Sequence, residues 1–414
     1  MVAQVVSLSG SQVTALALPT IAVLRLHAGP AGTSFLFAAS YAPAALLGPF
    51  VAPLIDRLSQ RTVLAGADLL RAAILSTVPV SAALGLLSFD QLVVVAALVG
   101  LLQVLFDSSA STLVARATPP DQLARANGFV QGAQSIGSLA GPGLGGVVIG
   151  LVGAATAVIL DVISYGLSAA LLATLAAARR PAAGPQTLGR QSYLRQVRNG
   201  WSFLIADPLL RGSVLASALA NLGGSAVGGL YIVYAYNVLG LSPQQLGLTM
   251  TCFSAGSLLA AVVLPRAYRG RPLHLVALAA ACGVALSLYL IPLASIFGGV
   301  VTLCFYEGLF AIAATTLALA TTTLRQRRTP PDVLGRVLAT SRSIVIGTIP
   351  LGAGLGAALS GSISLTAVFL ICAILVSLAP IPLATRGYRR IGAEIVRASA
   401  ETTRPGSTPT EAHD

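Results

Sequence analysis

The sequence predicts an all-α polytopic membrane protein with twelve transmembrane helices in two six-helix halves, and three observations carry that reading: composition, the spacing of apolar stretches, and an internal repeat. Of 414 residues, 55% are hydrophobic and 9% are charged, and the mean hydropathy is +0.85. Soluble proteins carry about a quarter charged residues. Water is therefore not the main solvent of this chain.

Apolar segments of the length that crosses about 30 Å of hydrocarbon as a helix fall at 5–27, 33–54, 62–88, 91–114, 128–151 and 154–177, then at 210–237, 243–265, 273–293, 296–324, 337–360 and 363–385. All 25 basic residues are arginine, against 13 acids. In a soluble protein that excess would raise nucleic acid as a partner. Here the arginines sit in short clusters between apolar stretches, so membrane topology explains them and no nucleic-acid partner is expected. Twenty-two of the 25 follow the second, fourth, sixth, eighth, tenth and twelfth spans. The intervening loops, after spans three, five, seven, nine and eleven, contain none. Positive loops stay inside, which predicts a multi-pass protein of the cell inner (plasma) membrane with both termini cytoplasmic. Arg25, near the outer end of the first span, is the exception.

The four cysteines, Cys252, Cys282, Cys304 and Cys372, lie apart in apolar segments with no metal-ligand spacing, and His27, His274 and His413 are equally scattered. They read as isolated residues, so no metal and no cofactor are expected. The first apolar stretch lacks a basic flank and is too long for the core of a cleavable signal. Residues 179–208 form a linker that opens on the Pro/Gly-rich RRPAAGPQTLGR. Within it Leu194, Val197, Trp201 and Leu204 recur at helical spacing beside arginines, which suits a helix lying on the inner leaflet. A flexible charged linker is the alternative. Residues 387–414 are polar and read as a disordered tail.

A repeat divides the chain into halves at 1–178 and 209–386. TPPDQLAR at Thr118–Arg125 returns as TPPDVLGR at Thr329–Arg336, 211 residues later. The same offset carries Gly141, Gly143 and Gly145 onto Gly352, Gly354 and Gly356. Two halves in one orientation form a parallel repeat, which places a substrate site between them near mid-membrane.

Three stretches carry a family resemblance: SLSGSQVTALALP at Ser7–Pro19, DRLSQRTVLAGADLLRA at Asp56–Ala72, and ARANGFVQGAQSIGSLAGPGLGGVV at Ala124–Val148. On them the chain resembles the major facilitator superfamily over nearly its whole length, and more narrowly the drug:proton antiporter branch that includes enterobactin-exporter-like and macrolide-efflux-like proteins. The resemblance implies a cytoplasmic gate in the loop after span two, where Asp56, Arg57 and Arg61 match the family's signature loop, although Ala52 and Ser59 replace its usual glycines. Simple positive-inside anchoring is the alternative for these arginines. The resemblance also implies an antiporter motif in span five, carried by Gly137, Gly141, Pro142, Gly145 and Gly146. Physically, glycines four apart admit a close neighbour, and Pro142 removes one helical hydrogen bond. Ordinary small-residue packing would read the same way.

Charges inside the spans form the other informative class, since each is costly at the bilayer centre unless paired or wet. Asp68 and Arg71 are three residues apart and can satisfy each other; a structural pair and proton traffic both fit. Asp107 reads as part of the cytoplasmic charge network, in reach of Arg57 or Arg61. Asp161 lies on a span that the resemblance makes peripheral, so a structural hydrogen bond and a function compete. Glu307 sits mid-span on the tenth helix, which by resemblance lines the cavity, with no basic residue within a turn. Glu307, Asp68 and Asp161 are thus the proton-coupling candidates, with Gln12, Gln103, Asn221 and Tyr231 as candidate cavity-lining residues.

The function these features imply is proton-coupled export of an amphipathic small molecule, such as a drug, an antibiotic or a siderophore-like metabolite, by alternating access. Its partners would be the substrate, protons and the bilayer, with a monomer as the working unit. Proton-coupled uptake is the alternative within transport, and it calls for a more polar cavity. A membrane-embedded enzyme would need clustered carboxylates or a nucleophile with its base, and the sequence has neither. No catalytic residue is assigned. ATP-driven transport lacks its phosphate-binding loop.

Overall fold

The computed structural model describes residues 2–55, 59–118, 122–174, 201–268, 271–385 and 388. Among these residues the long elements are all helices, because in hydrocarbon a helix satisfies every backbone group within its own segment. The first six are α1 (Val2–Leu24), α2 (Pro30–Ile55), α3 (Gln60–Ala83), α4 (Phe89–Ala117), α5 (Leu123–Val152) and α6 (Ala154–Thr174). The second six are α7 (Pro208–Val233), α8 (Pro243–Val262), α9 (Leu273–Leu288), α10 (Gly299–Arg328), α11 (Pro331–Ser360) and α12 (Leu365–Val376).

Side-chain caps start several of them: Ser59, Ser88, Asp207, Ser242 and Ser364 each accept from a first-turn amide. Such a cap contributes about 1 kcal/mol by satisfying an otherwise orphaned donor. Asp207 does more, since its second oxygen accepts from Arg328 Nε at 2.7 Å and ties the start of α7 to the end of α10.

Helix ends depart from the hydropathy-based spans for local reasons. After α9 a second helical piece, Leu290–Phe297, continues the ninth span, and Gly298 at φ 96° makes the reversal, so the tenth begins at Gly299 rather than 296. Only glycine adopts that backbone without strain. The eleventh begins at Pro331, six residues before the expected 337, because proline suits the first turn of a helix and the helix takes in the polar residues that precede its apolar stretch. The twelfth breaks after Val376 and resumes at Pro380–Ala384, where Pro380 and Pro382 cannot donate back along the helix. By contrast α5 runs unbroken through Pro142. The seventh span ends in a π-turn, Tyr234–Val238.

Each half packs its own helices: α1 against α5 and α6, α3 against α4 and α6, and α2 against α4; then α7 against α11 and α12, and α10 against α8 and α9. Across the halves α5 lies on α8, and α2 on both α11 and α7. Several of these cross-contacts lie at the end away from the arginine-rich loops. Gly146 meets Gly247 backbone to backbone, Gly229 touches Ser34, Gly228 touches Phe37, and Thr20 Oγ1 lies 3.0 Å from Tyr236 Oη. Large apolar side chains such as Leu86, Leu144, Leu151, Phe297, Phe305 and Ile374 are exposed, a surface that suits lipid and not water. Among the described residues nine helices are long and apolar enough to cross a membrane.

Candidate functional site

Among the described residues, buried carboxyls gather polar groups around them in the interior of each half. In the second half Glu307, near the middle of α10, is 8% exposed. Facing it is the Tyr231 hydroxyl from α7, which itself donates to Thr249 of α8 at 2.9 Å. Aromatic rings continue from there: Tyr231 and Tyr306 have centroids 6.0 Å apart, and Tyr306 and Phe310 5.7 Å. Among the described residues Glu307 forms no ion pair. It is therefore a carboxyl beside a phenol inside an apolar wall, where an ionised form has no counter-ion among the described residues.

In the first half, the sequence-derived pair is formed: Arg71 donates from Nη1 to Asp68 Oδ1 at 3.2 Å, and both side chains are buried. The other Asp68 oxygen accepts from Ser168 of α6 at 2.6 Å. The guanidinium lies between the rings of Phe106 on α4 and Tyr165 on α6, 4.9 and 5.2 Å from their centroids. Such contacts stabilise a desolvated cation. Asp161 is close by in the same interior, accepting from Thr14 of α1 at 2.5 Å and from Ser164 at 3.0 Å. The hydroxyls of Ser11 and Tyr165 meet at 2.8 Å. These hydroxyls were not singled out in the sequence, although Asp161, Ser164, Tyr165 and Ser168 recur at i, i+3, i+4 and i+7 and so share one face of α6.

At the arginine-rich end, Asp56 and Arg57 lie outside the described residues. Arg61 donates from Nε to the Leu172 carbonyl at 2.8 Å and ties α3 to α6. Asp107 accepts from Gln103 at 2.8 Å. Two cations act on it electrostatically, Arg71 of its own half and Arg342 of α11 in the other half. At the opposite end Arg25 donates to the Ala82 carbonyl at 2.6 Å, so this arginine on the wrong side satisfies the last turn of α3.

The glycines of span five divide by partner. Gly145 faces Val13 of α1 within its own half, whereas Gly146 faces Pro243 and Gly247 of α8 in the other half. Gly143 faces Thr251 of α8 as well. Gly137, Gly141 and Pro142 are buried. The repeat is partly mirrored: Gly352 and Gly356 both pack on α7, as Gly145 packs on α1. Of the polar residues set aside for the cavity, Gln12, Gln103 and Asn221 are half-buried and Tyr231 is buried. Asn221 donates to the Ser217 carbonyl.

Two repeated six-helix halves that meet through small residues are the architecture of a membrane transporter of the two-domain kind. The chain belongs to the Major Facilitator Superfamily, whose family model matches residues 1–344. It is 24% identical to macrolide efflux protein A of Streptococcus pyogenes, over 81% of this chain and 82% of that protein. It is 29% identical to the enterobactin exporter EntS of Escherichia coli O1:K1 / APEC, over 64% of this chain and 62% of that one. Among solved structures, a mutant of the nucleoside transporter NupG is similar at a TM-score of 0.73 with 12% identity, covering 92% of this chain and 97% of that one. A bacterial homologue of the iron transporter ferroportin in an inward-facing state is similar at 0.71 with 15% identity, covering 92% and 96%. These likenesses between structures concern the fold.

Proposed function

We propose that this transporter is a proton-coupled exporter of amphipathic small molecules, and that Glu307 carries the coupling proton. The observation that carries the proposal is the Glu307 site: a mid-span carboxyl on α10, buried, facing a tyrosine and without an ion pair among the described residues. A buried carboxyl exchanges its proton where water reaches it, so proton occupancy follows whether the surrounding helices admit water from one side or the other. Opening outward loads Glu307 and releases substrate; opening inward discharges it and resets the site. The halves, residues 1–178 and 209–386, alternate in opening the site between them to either side, with Asp56, Arg57, Arg61 and Asp107 as the cytoplasmic gate. The relatives named for macrolide efflux and enterobactin export support the outward direction. In this reading the protein is a monomer in the inner membrane with both termini in the cytoplasm.

Glu307→Gln keeps the shape and much of the hydrogen bonding but cannot change charge. In proteoliposomes offered a macrolide or enterobactin, that variant is expected to lose accumulation against a gradient while keeping downhill exchange. Undiminished proton-driven accumulation by Glu307→Gln would remove Glu307 from the mechanism.

A further inference from the structure

Among the described residues the buried charges of the first half are unequal in number. Arg71 spends its one hydrogen-bonded contact on Asp68 and is otherwise enclosed by Phe106 and Tyr165. That pair is neutral as a unit. Asp161, equally buried, is left to hydroxyls alone, Thr14 on one oxygen and Ser164 on the other. Asp68 and Arg71 of α3 and Tyr165 of its own helix are the titratable groups whose charges reach it among the described residues, and α1 presents only hydroxyls here. A hydroxyl donates to a carboxylate or accepts from a carboxylic acid with equal ease. The site around Asp161 is therefore satisfied in both protonation states, unlike one built from arginine, which only donates.

Polar groups continue beyond it along the same helix. Asp161, Ser164, Tyr165 and Ser168 form one polar stripe along α6, and the next turn ends at Leu172, whose carbonyl holds Arg61 at the arginine-rich end. The backbone of α1 closes tightly over this stripe: a Cβ on Gly10 would collide with Ser164 and Asp161. The second half has no counterpart. The positions 211 residues after Asp68, Arg71 and Asp161 are Ala279, Cys282 and Cys372, while Glu307 falls back on Ala96. Each half has its own acidic site.

We propose that Asp161 is a second proton-binding group of the transporter, exchanging its proton along the hydroxyl stripe of α6 as α1 moves against it. This deepens the proton-coupled reading and rests on it for its use in transport, giving two proton sites, one per half, where Glu307 alone gives one. Infrared difference spectra between acidic and alkaline buffer, taken on the purified full-length protein in nanodiscs with no substrate, test it directly. Asp161→Asn is expected to lose one protonated-carboxyl component and to release one proton fewer per molecule on the pH jump; Glu307→Gln should remove a different component. Thr14→Val, which leaves the acid in place, is expected to shift the Asp161 component, and so decides the matter even if Asp161→Asn does not fold. Spectra and proton counts of Asp161→Asn that match wild type, or a component unshifted in Thr14→Val, overturn the proposal. Retained accumulation by Glu307→Gln would overturn the role of Glu307 and leave the Asp161 component standing.

Discussion

Arg71 illustrates how a single side chain is made tolerable in hydrocarbon: one carboxylate on its own helix, and two aromatic faces from α4 and α6. Removing one member of a buried ion pair strands the other and costs about 3–5 kcal/mol, whereas replacing both with apolar groups is close to neutral. Arg71→Met alone is therefore expected to lower the thermal stability of the detergent-solubilised protein markedly, and Asp68→Leu with Arg71→Met to recover most of the loss. Equal destabilisation by the single and double variants would show that the pair is not what holds α3 in place. The pair was legible in the sequence, because a spacing of three residues puts both groups on one helical face. The Asp161 site was not. Its partner Thr14 lies 147 positions away, and nothing in α1 alone fixes its register against α6. Arg25 was visible as an exception to the inside placement of charge, but its use as a cap for α3 depends on where Ala82 ends up in space.

Among the helices, α5 carries the clearest division of labour. Its glycines were identified as a group from their spacing, yet only their partners separate them: Gly145 seats α1 of the same half, and Gly146 crosses Gly247 of α8 in the other. A side chain at Gly146 would press on the Pro243 carbonyl and the Gly247 backbone, neither of which can yield as a flexible side chain does. Overpacking of this kind costs about 1–3 kcal/mol, which is roughly fivefold to 150-fold in the population of the closed contact. Gly146→Leu is accordingly expected to insert normally and to slow transport by about fivefold or more, and to make a cysteine placed beside the α5–α8 crossing more reactive to an impermeant thiol reagent. Wild-type labelling together with a wild-type transport rate in Gly146→Leu would contradict a closing role for this crossing. Helix existence was readable throughout from apolar length. Helix ends were less so, since Gly298 and Pro331 set them by backbone conformation, to which hydropathy is blind.

At the scale of the whole molecule the repeat explains the architecture. Equivalent helices pack alike, with α5 on α1 and α11 on α7, so one folding solution serves twice and the two copies face each other across α2, α11, α5 and α8. The acids have not followed the repeat, which is why the 211-residue offset located the halves but could not locate their chemistry. A symmetric frame with unlike interiors is suited to a machine in which the frame moves and particular carboxyls respond. Under the proposed coupling, movement of substrate and movement of protons are one event. Sealed proteoliposomes containing the purified protein and a pH-sensitive dye in the lumen, given the same test compounds with no imposed pH gradient, read both movements at once. Protons are expected to move opposite to the substrate, at a rate that rises with substrate concentration and is absent from protein-free vesicles. Substrate movement at an undiminished rate with no change in lumenal pH would contradict it.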